Sequence, residues 1–547
     1  MSREKRSDWW RGAVIYQIYP RSFMDSNGDG IGDLPGITAR LDHVAGLGVD
    51  AIWVSPFFRS PMKDFGYDVA DYRAVDPLFG TLADFDALLV RAHALGLKVI
   101  IDQVLSHTSD QHAWFAESRR AAPGEPKADW YVWADPRPDG SVPNNWLSVF
   151  GGPAWQWDAR RRQYYFHSFL AEQPDLNFHN EAVQLALLEE VRFWCERGVD
   201  GFRFDACNHQ FHDIELRDNP PSRGGPVSTV KADNPYAMQQ HLYDKSRPEN
   251  LPFLERLRAL LDEYGAVGLG EVGDENAPPL MAAYTEHGKR LHLAYSFALL
   301  TDERSPSHLR AQVQALEDAL ASTGGWGCWA VSNHDSMRVA SRWSAGAPAD
   351  TRRDRLWLAL LLCLRGSASI YQGEELGLPE AEVPFERLQD PYGRAFWPEF
   401  KGRDGARTPM PWLGSVPDGG FSAGPGEPWL PVSPLHLPLA IDRQNSDPHS
   451  MLNFSRTALR WRRDQPLLRT GAMRFLDLPE PLLGLERFEG AHRLQALFNL
   501  SDQPVSVALP AMLIPASGAP FFGARVDGDQ LQLPPYGVFM GTPFGAE

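Results

Sequence analysis

Short apolar runs alternate with helix-period stretches over most of the chain. Eight runs read as buried strands: Val14 to Tyr19, Ala51 to Val54, Lys98 to Val104, Val199 to Ala206, Val267 to Val272, Leu291 to Phe297, Trp329 to Val331 and Ala368 to Tyr371. Between them, apolar residues spaced for one face of a helix predict helices near 37–47, 82–95, 181–197, 254–264, 308–321 and 353–363. Strict alternation of strand and helix implies an α/β fold, and eight repeats imply a (β/α)8 TIM barrel with function at the C-terminal strand ends. A doubly wound open sheet also alternates, but no Gly-x-Gly-x-x-Gly follows a strand here.

Three stretches break the alternation. Residues 107–173, rich in Trp, Pro and Gly, are long enough for an inserted subdomain after the third strand. A polar run between Cys207 and about Asn250 follows the fourth strand directly, where it would overhang the active face as a lid. A long loop segment, 379–438, follows the eighth strand, and a helix is predicted at 448–463. Beyond it the period changes to two, in runs such as Leu494 to Phe498 and Val505 to Leu509. The expected organisation is a barrel from 1–106 and 174–465, an inserted subdomain at 107–173 and a C-terminal antiparallel β-domain at 466–547.

At 547 residues, several cores rather than one are required. The net charge of −17 argues against nucleic acid or an anionic membrane surface as partner. Four cysteines lie far apart without metal-ligand spacing and read as reduced thiols. No signal-peptide pattern or apolar run long enough for a membrane span is visible, so a cytoplasmic location is expected. Eighteen Trp provide flat faces suited to stacking on sugars or bases, although most Trp simply fill cores.

Polar residues gather at the predicted strand ends. The third strand runs into Asp102-Gln-Val-Leu-Ser-His107 and the fourth carries Arg203 and Asp205. The fifth ends on Glu271, the seventh leads to Ser332-Asn-His-Asp335, and Asp64 and Tyr67 follow the second. In Gly201-Phe-Arg-Phe-Asp205, Phe202 and Phe204 share one face and Arg203 and Asp205 the other. Taken alone, this is either a structural ion pair or a carboxylate held ionised and aimed into a cavity. Three carboxylates on neighbouring barrel rims favour the cavity. No Ser nucleophile turn, zinc-binding His pair or phosphate loop competes, and paired carboxylates are what glycosidic cleavage requires. Arg203 is expected to depress the pKa of Asp205, suiting it to nucleophilic attack. Glu271, with no cation adjacent in sequence, suits the acid/base role.

Asp102-x4-His107, Gln173-Pro-Asp-Leu-Asn177, Gly201-Phe-Arg-Phe-Asp205, Glu271 and Asn333-His-Asp335 follow one another in a specific order. In this the chain resembles glycoside hydrolase family 13, the α-amylase family, and most of all its α-glucosidase branch. The resemblance implies that Asp205 is the nucleophile, Glu271 the general acid/base, and Asp335 the residue that holds the sugar's 2- and 3-hydroxyls. It implies further that His107, Arg203 and His334 bind the same glucose, and that Asp64 and Tyr67 bond to it and stack on it. Arg403 matches the usual partner of Asp64, a pair that closes the far end of the pocket. Phe150 and Phe169 are candidate sugar-facing aromatics, with core packing as the alternative for each.

The loop Asp25-Ser-Asn-Gly-Asp-Gly-Ile-Gly-Asp33 alternates oxygen donors with glycine. Similar loops in relatives hold a structural Ca2+ or Mg2+ through Asp25, Asn27, Asp29, the Ile31 carbonyl and Asp33; the alternative is an Asx-rich turn without metal. No organic cofactor is expected. Three departures qualify the resemblance. Ser106 replaces the Asn that serves a different calcium site. Ala206 stands where relatives preferring α-1,6 links carry Val and those preferring α-1,4 carry Thr, which leaves linkage open. Arg387-Leu-Gln-Asp390 lacks the Arg-Leu-Asp-Arg-Asp run of sucrose isomerases.

The expected activity is that of a retaining, exo-acting α-glucosidase on maltose-sized sugars, with transglucosylation as a side reaction. An oligo-1,6-glucosidase or sucrose-cleaving relative is the alternative. A catalytically silent transporter subunit would lack the full carboxylate set.

Overall fold

The computed structural model describes residues 8–544 apart from 225–229, 231–233, 423, 510–511 and 522. Part of the expected lid therefore lies outside the described residues. Eight parallel strands close into a barrel: β1 (Val14–Ile18), β2 (Ala51–Val54), β3 (Lys98–Val104), β4 (Gly201–Asp205), β5 (Val267–Glu271), β6 (Leu293–Ser296), β7 (Gly327–Ala330) and β8 (Ser367–Tyr371). Each pairs with the next, and β8 returns to β1. Apart from Lys98, every residue in these strands is buried. Burial on both faces is why the strands read as continuous apolar runs.

Ile15, Trp53, Ile100, Leu269, Leu293, Tyr295 and Cys328 pack together within the barrel. Their alternates, including Tyr16, Ile52, Val99, Phe202 and Phe204, join the outer core beneath the helices. Caps fix several helix starts. Thr81 and Asp84 form a capping box before Leu82–Ala94, while Asn180, Ser305 and Asp350 cap Glu181–Glu196, Pro306–Thr323 and Thr351–Cys363.

The differences from the sequence pattern are local. Strand β7 starts at Gly327 rather than Trp329, because Gly327 and Cys328 are buried without presenting a bulky apolar signal. The helix Ala277–Tyr284 was not expected; its sequence lacks a polar face, and its prolines sit in the first turn, where no backbone donor is required. The inserted stretch contains a helix, Ala113–Arg120, and a three-stranded antiparallel sheet of Trp133–Ala134, Gln163–Phe166 and Trp155–Asp158. Trp146 and Trp155 anchor its own small core with Val132 and Phe166, which accounts for part of the tryptophan content. After the short helix Pro466–Thr470, the tail folds into antiparallel sheets of five and three strands. Among the described residues, no helix is long and apolar enough to cross a membrane.

Candidate active site

Strand β4 organises the site. With Phe202 and Phe204 in the outer core, alternation turns Arg203 and Asp205 inward. Parallel register sets Arg203 beside Asp102 on β3 and Leu269 on β5. Its Nη1 donates to Asp102 Oδ1 at 2.8 Å and to Asp205 Oδ1 at 2.5 Å, while Nη2 lies 2.5 Å from Glu271 Oε1. One buried guanidinium therefore joins three carboxylates from three successive strands. Glu271 Oε2 also accepts from the Ala206 amide at 2.8 Å. Ala206 has φ +40°, a left-handed turn immediately after the strand. Just before Glu271, a Cβ on Gly270 would lie 2.5 Å from Leu291 Cδ1 and 2.9 Å from Cys207 Sγ, so any larger residue there would have to displace both side chains.

The network continues without a break. Asp102 Oδ2 accepts from Trp53 Nε1 at 2.9 Å and from the Tyr67 hydroxyl at 3.3 Å. That hydroxyl is 2.5 Å from His334 Nε2, and the two rings stack with centroids 5.5 Å apart. Gln17 donates to His334 Nδ1 at 2.7 Å, which leaves the ring proton on Nε2, 3.2 Å from Asp335 Oδ2. Asp335 Oδ1 accepts from Arg407 at 2.7 Å and from Arg403 at 3.2 Å. Arg403 also donates to Asp64 Oδ1 at 2.9 Å and to Asp390 Oδ1 at 2.8 Å. His107 donates from Nε2 to the Tyr67 carbonyl at 3.1 Å and faces the Ser106 hydroxyl through Nδ1 at 3.0 Å. Gln173 reaches Asp64 at 3.2 Å.

Asp205, Glu271, Asp335, Arg203, His107, His334, Tyr67, Asp64 and Arg403 thus share one cluster. Phe169 sits beside His107 with ring centroids 5.2 Å apart, and the Arg403 guanidinium lies 5.2 Å over the Phe150 ring. Both rings are half-buried. Asp390, Arg407, Gln17 and Trp53 complete the network but were not singled out from sequence. Asp390 stood within a quoted stretch, yet no sequence signal ties it to Arg403 or ties Arg407 to Asp335.

The expectation that Arg203 would hold Asp205 low is corrected. Burial pushes Asp205 up to about 7 and Glu271 up to about 8; Arg203 opposes this in both, but one cation is divided among three acids. Asp335 behaves oppositely: against burial, His334 and the two arginines hold it well below the usual range. Burial keeps His107 (about 4) and His334 (about 3) neutral. The charge of Asp205 adds to the rise of Glu271, and the charge of Asp102 adds to the rise of Asp205. Catalysis that needs Asp205 ionised and Glu271 protonated gives a bell-shaped kcat/KM in the free enzyme, falling below about pH 7 and above about pH 8. A profile flat from pH 5 to 9, measured with maltose, would contradict these assignments.

In the 25–33 loop, Asp25 is buried and accepts from the amides of Asn27, Gly28 and Gly30. Asp33 caps the helix Leu34–Leu47 through the Gly36 amide and also binds Ser26. Asp29 accepts from the Ile31 amide at 2.8 Å. The donors are all oxygens, the chemistry that a hard cation takes. Among the described residues, however, no three acidic, histidine or cysteine side chains gather as a metal-ligand group.

An eight-stranded parallel barrel bearing buried, linked carboxylates at its C-terminal rim defines a glycoside-hydrolase class of site. Residues 17–471 match the family described as alpha amylase, catalytic domain. The chain belongs to this family and is a glycoside hydrolase. It is 55% identical over 544 residues to a probable alpha-glucosidase of Rhizobium meliloti, covering 98% of this chain and 97% of that protein. It is 35% identical to an oligo-1,6-glucosidase of Heyndrickxia coagulans, covering 92% and 94%. Among solved structures, an alpha-glucosyl transfer enzyme, XgtA, superposes with a TM-score of 0.94 at 56% identity, over 98% of this chain and 99% of the other. The trehalulose synthase MutB of Pseudomonas mesoacidophila gives 0.86 at 31%, again over 98% and 99%.

Proposed function

We propose that the chain is a retaining, exo-acting α-glucosidase that releases terminal α-linked glucose from maltose-sized substrates. The observation that carries this reading is the single Arg203 that joins Asp205 to Glu271, with the Arg403–Asp64–Asp335 lattice beside them. Asp205 attacks the anomeric carbon while Glu271 passes its proton to the departing oxygen, giving a glucosyl–Asp205 ester. Glu271 then takes a proton from water or from a sugar hydroxyl. The oxygen so activated displaces Asp205, returning the α configuration. When the acceptor is a sugar hydroxyl, the product is a transglucosylated sugar. Asp335, held ionised, binds ring hydroxyls next to the reacting carbon, and Arg403 with Asp64 closes the glucose end.

Ala206 lacks β-branched bulk and gives its amide to Glu271, so linkage preference is set beside the acid/base. An α-1,6 preference is the second reading, favoured by the 35% identity to an oligo-1,6-glucosidase. Initial rates on maltose, isomaltose, sucrose, trehalose and starch decide between them. The expected order puts maltose well above starch and at or above isomaltose. Starch turned over as fast as maltose would overturn the short-substrate reading.

The proposal includes a structural Ca2+ or Mg2+ at the 25–33 loop, supported by its all-oxygen donor set. Dialysis against a chelator is then expected to lower the thermal unfolding midpoint by about 5 °C, recovered on adding Ca2+. An unchanged midpoint means that the loop stands on its amide–carboxylate bonds alone. A cytoplasmic location fits the four buried free cysteines.

A further inference from the structure

Three segments meet beside Phe150: the inserted region after β3, the long connection after β4 and the segment after β8. Asn234, in the connection after β4, is completely buried. Its Oδ1 accepts from the Tyr236 amide at 3.0 Å and caps the short helix Pro235–Met238. Its Nδ2 donates to the Val149 carbonyl at 2.8 Å, in the inserted region, and to the Tyr392 hydroxyl at 2.9 Å, in the segment after β8. Both donor hydrogens and the acceptor of one side chain are therefore committed to three different stretches of chain.

The junction leads to the site on both sides. Val149 precedes Phe150, whose ring lies 5.3 Å from Tyr392. Tyr392 belongs to the helix Pro391–Ala395, capped by Asp390, and Asp390 holds Arg403. Farther out, Asn145 and Asn219 exchange two bonds between the inserted region and the β4 connection. Asn234 differs in reaching the third segment as well. Long surface connections are held by few bonds, so a buried amide at a three-way junction fixes their relative position.

We propose that Asn234 is a specificity-determining positioning residue. Its amide fastens the β4 connection, which begins at the acid/base through the Ala206 amide, to the other two segments beside Phe150, and so limits the length of sugar admitted on the leaving-group side. This rests on the reading of the chain as a short-substrate α-glucosidase. Asn234→Asp keeps the oxygen that caps Tyr236 and lets the Tyr392 hydroxyl donate in turn, but it loses the donation to Val149 and sets a carboxylate against that carbonyl. Tyr392→Phe keeps the ring packing and removes only the hydroxyl.

The readout is kcat/KM on maltotetraose relative to maltose, taken with the thermal unfolding midpoint of each variant. The ratio is expected to rise about tenfold in Asn234→Asp, the effect of losing one hydrogen bond and setting a carboxylate against a carbonyl, and less in Tyr392→Phe. The change should fall mainly on KM for the longer sugar. Loss of general stability would instead reduce both substrates together. If Asn234→Asp does not fold, Tyr392→Phe decides. A parent that cleaves maltotetraose as readily as maltose defeats the short-substrate reading and the junction's role with it. A parent that prefers maltose, with folded variants that keep its ratio, defeats the role of Asn234 alone.

Discussion

Replacing Asp205 by Asn is expected to lower kcat on a nitrophenyl α-glucoside by about 10^4-fold or more, with the fold retained. Asn preserves the shape of the side chain and can still accept from Arg203, whose other partners Asp102 and Glu271 stay in place. What is lost is the charged oxygen that bonds to the anomeric carbon. The substitution also removes one of three acids that divide a single cation, so the buried cluster loses repulsion and the unfolding midpoint should not fall. Relief of that repulsion lowers the proton affinity of Glu271, since Asp205 helps to raise it. Retention of more than one per cent of parent turnover would remove Asp205 from the nucleophile's role.

Glu271→Gln has the second-largest expected effect, and it depends on the leaving group. On maltose, whose departing hydroxyl needs a proton, kcat should fall by about 10^3 to 10^4-fold. Nitrophenolate leaves without that proton, so its release survives as a fast first turnover, and the glucosyl–Asp205 ester then accumulates for want of a base. Azide, a nucleophile that needs no base, should restore turnover and give α-glucosyl azide. Equal losses on both substrates, without azide rescue, would assign Glu271 to holding Arg203 rather than to proton transfer. That outcome has physical content, because Glu271 lies within 2.5 Å of Arg203.

Several parts of this arrangement were legible in the chain because they follow from local periodicity. The two-residue alternation of Gly201-Phe-Arg-Phe-Asp205 set Arg203 and Asp205 on one face, and the closed barrel turned that face inward. Helix caps such as Thr81 with Asp84 lay within four residues of each other. By contrast, Arg203 bonding to Asp102 spans 101 residues and Arg407 to Asp335 spans 72, while Arg403 and Asp64, 339 apart, were paired through the family resemblance alone. No spacing rule reaches across such separations. The seventh strand and the helix Ala277–Tyr284 were misjudged for the opposite reason, since their residues are small or uniformly apolar and carry little period.

The protonation balance shows where the boundary lies. Sequence determined that Arg203 and Asp205 share a face, because two positions along a strand always do. From that pairing alone, a low-pKa carboxylate follows. Only the tertiary structure decided that Arg203 is divided among Asp102, Asp205 and Glu271 in a buried setting, which pushes Asp205 upward. Charge interactions and burial act through space, and the register between strands, not the order of residues, sets those distances. The same holds at Asn234: its residue type is written in the chain, but its three partners exist only once the three segments have packed together.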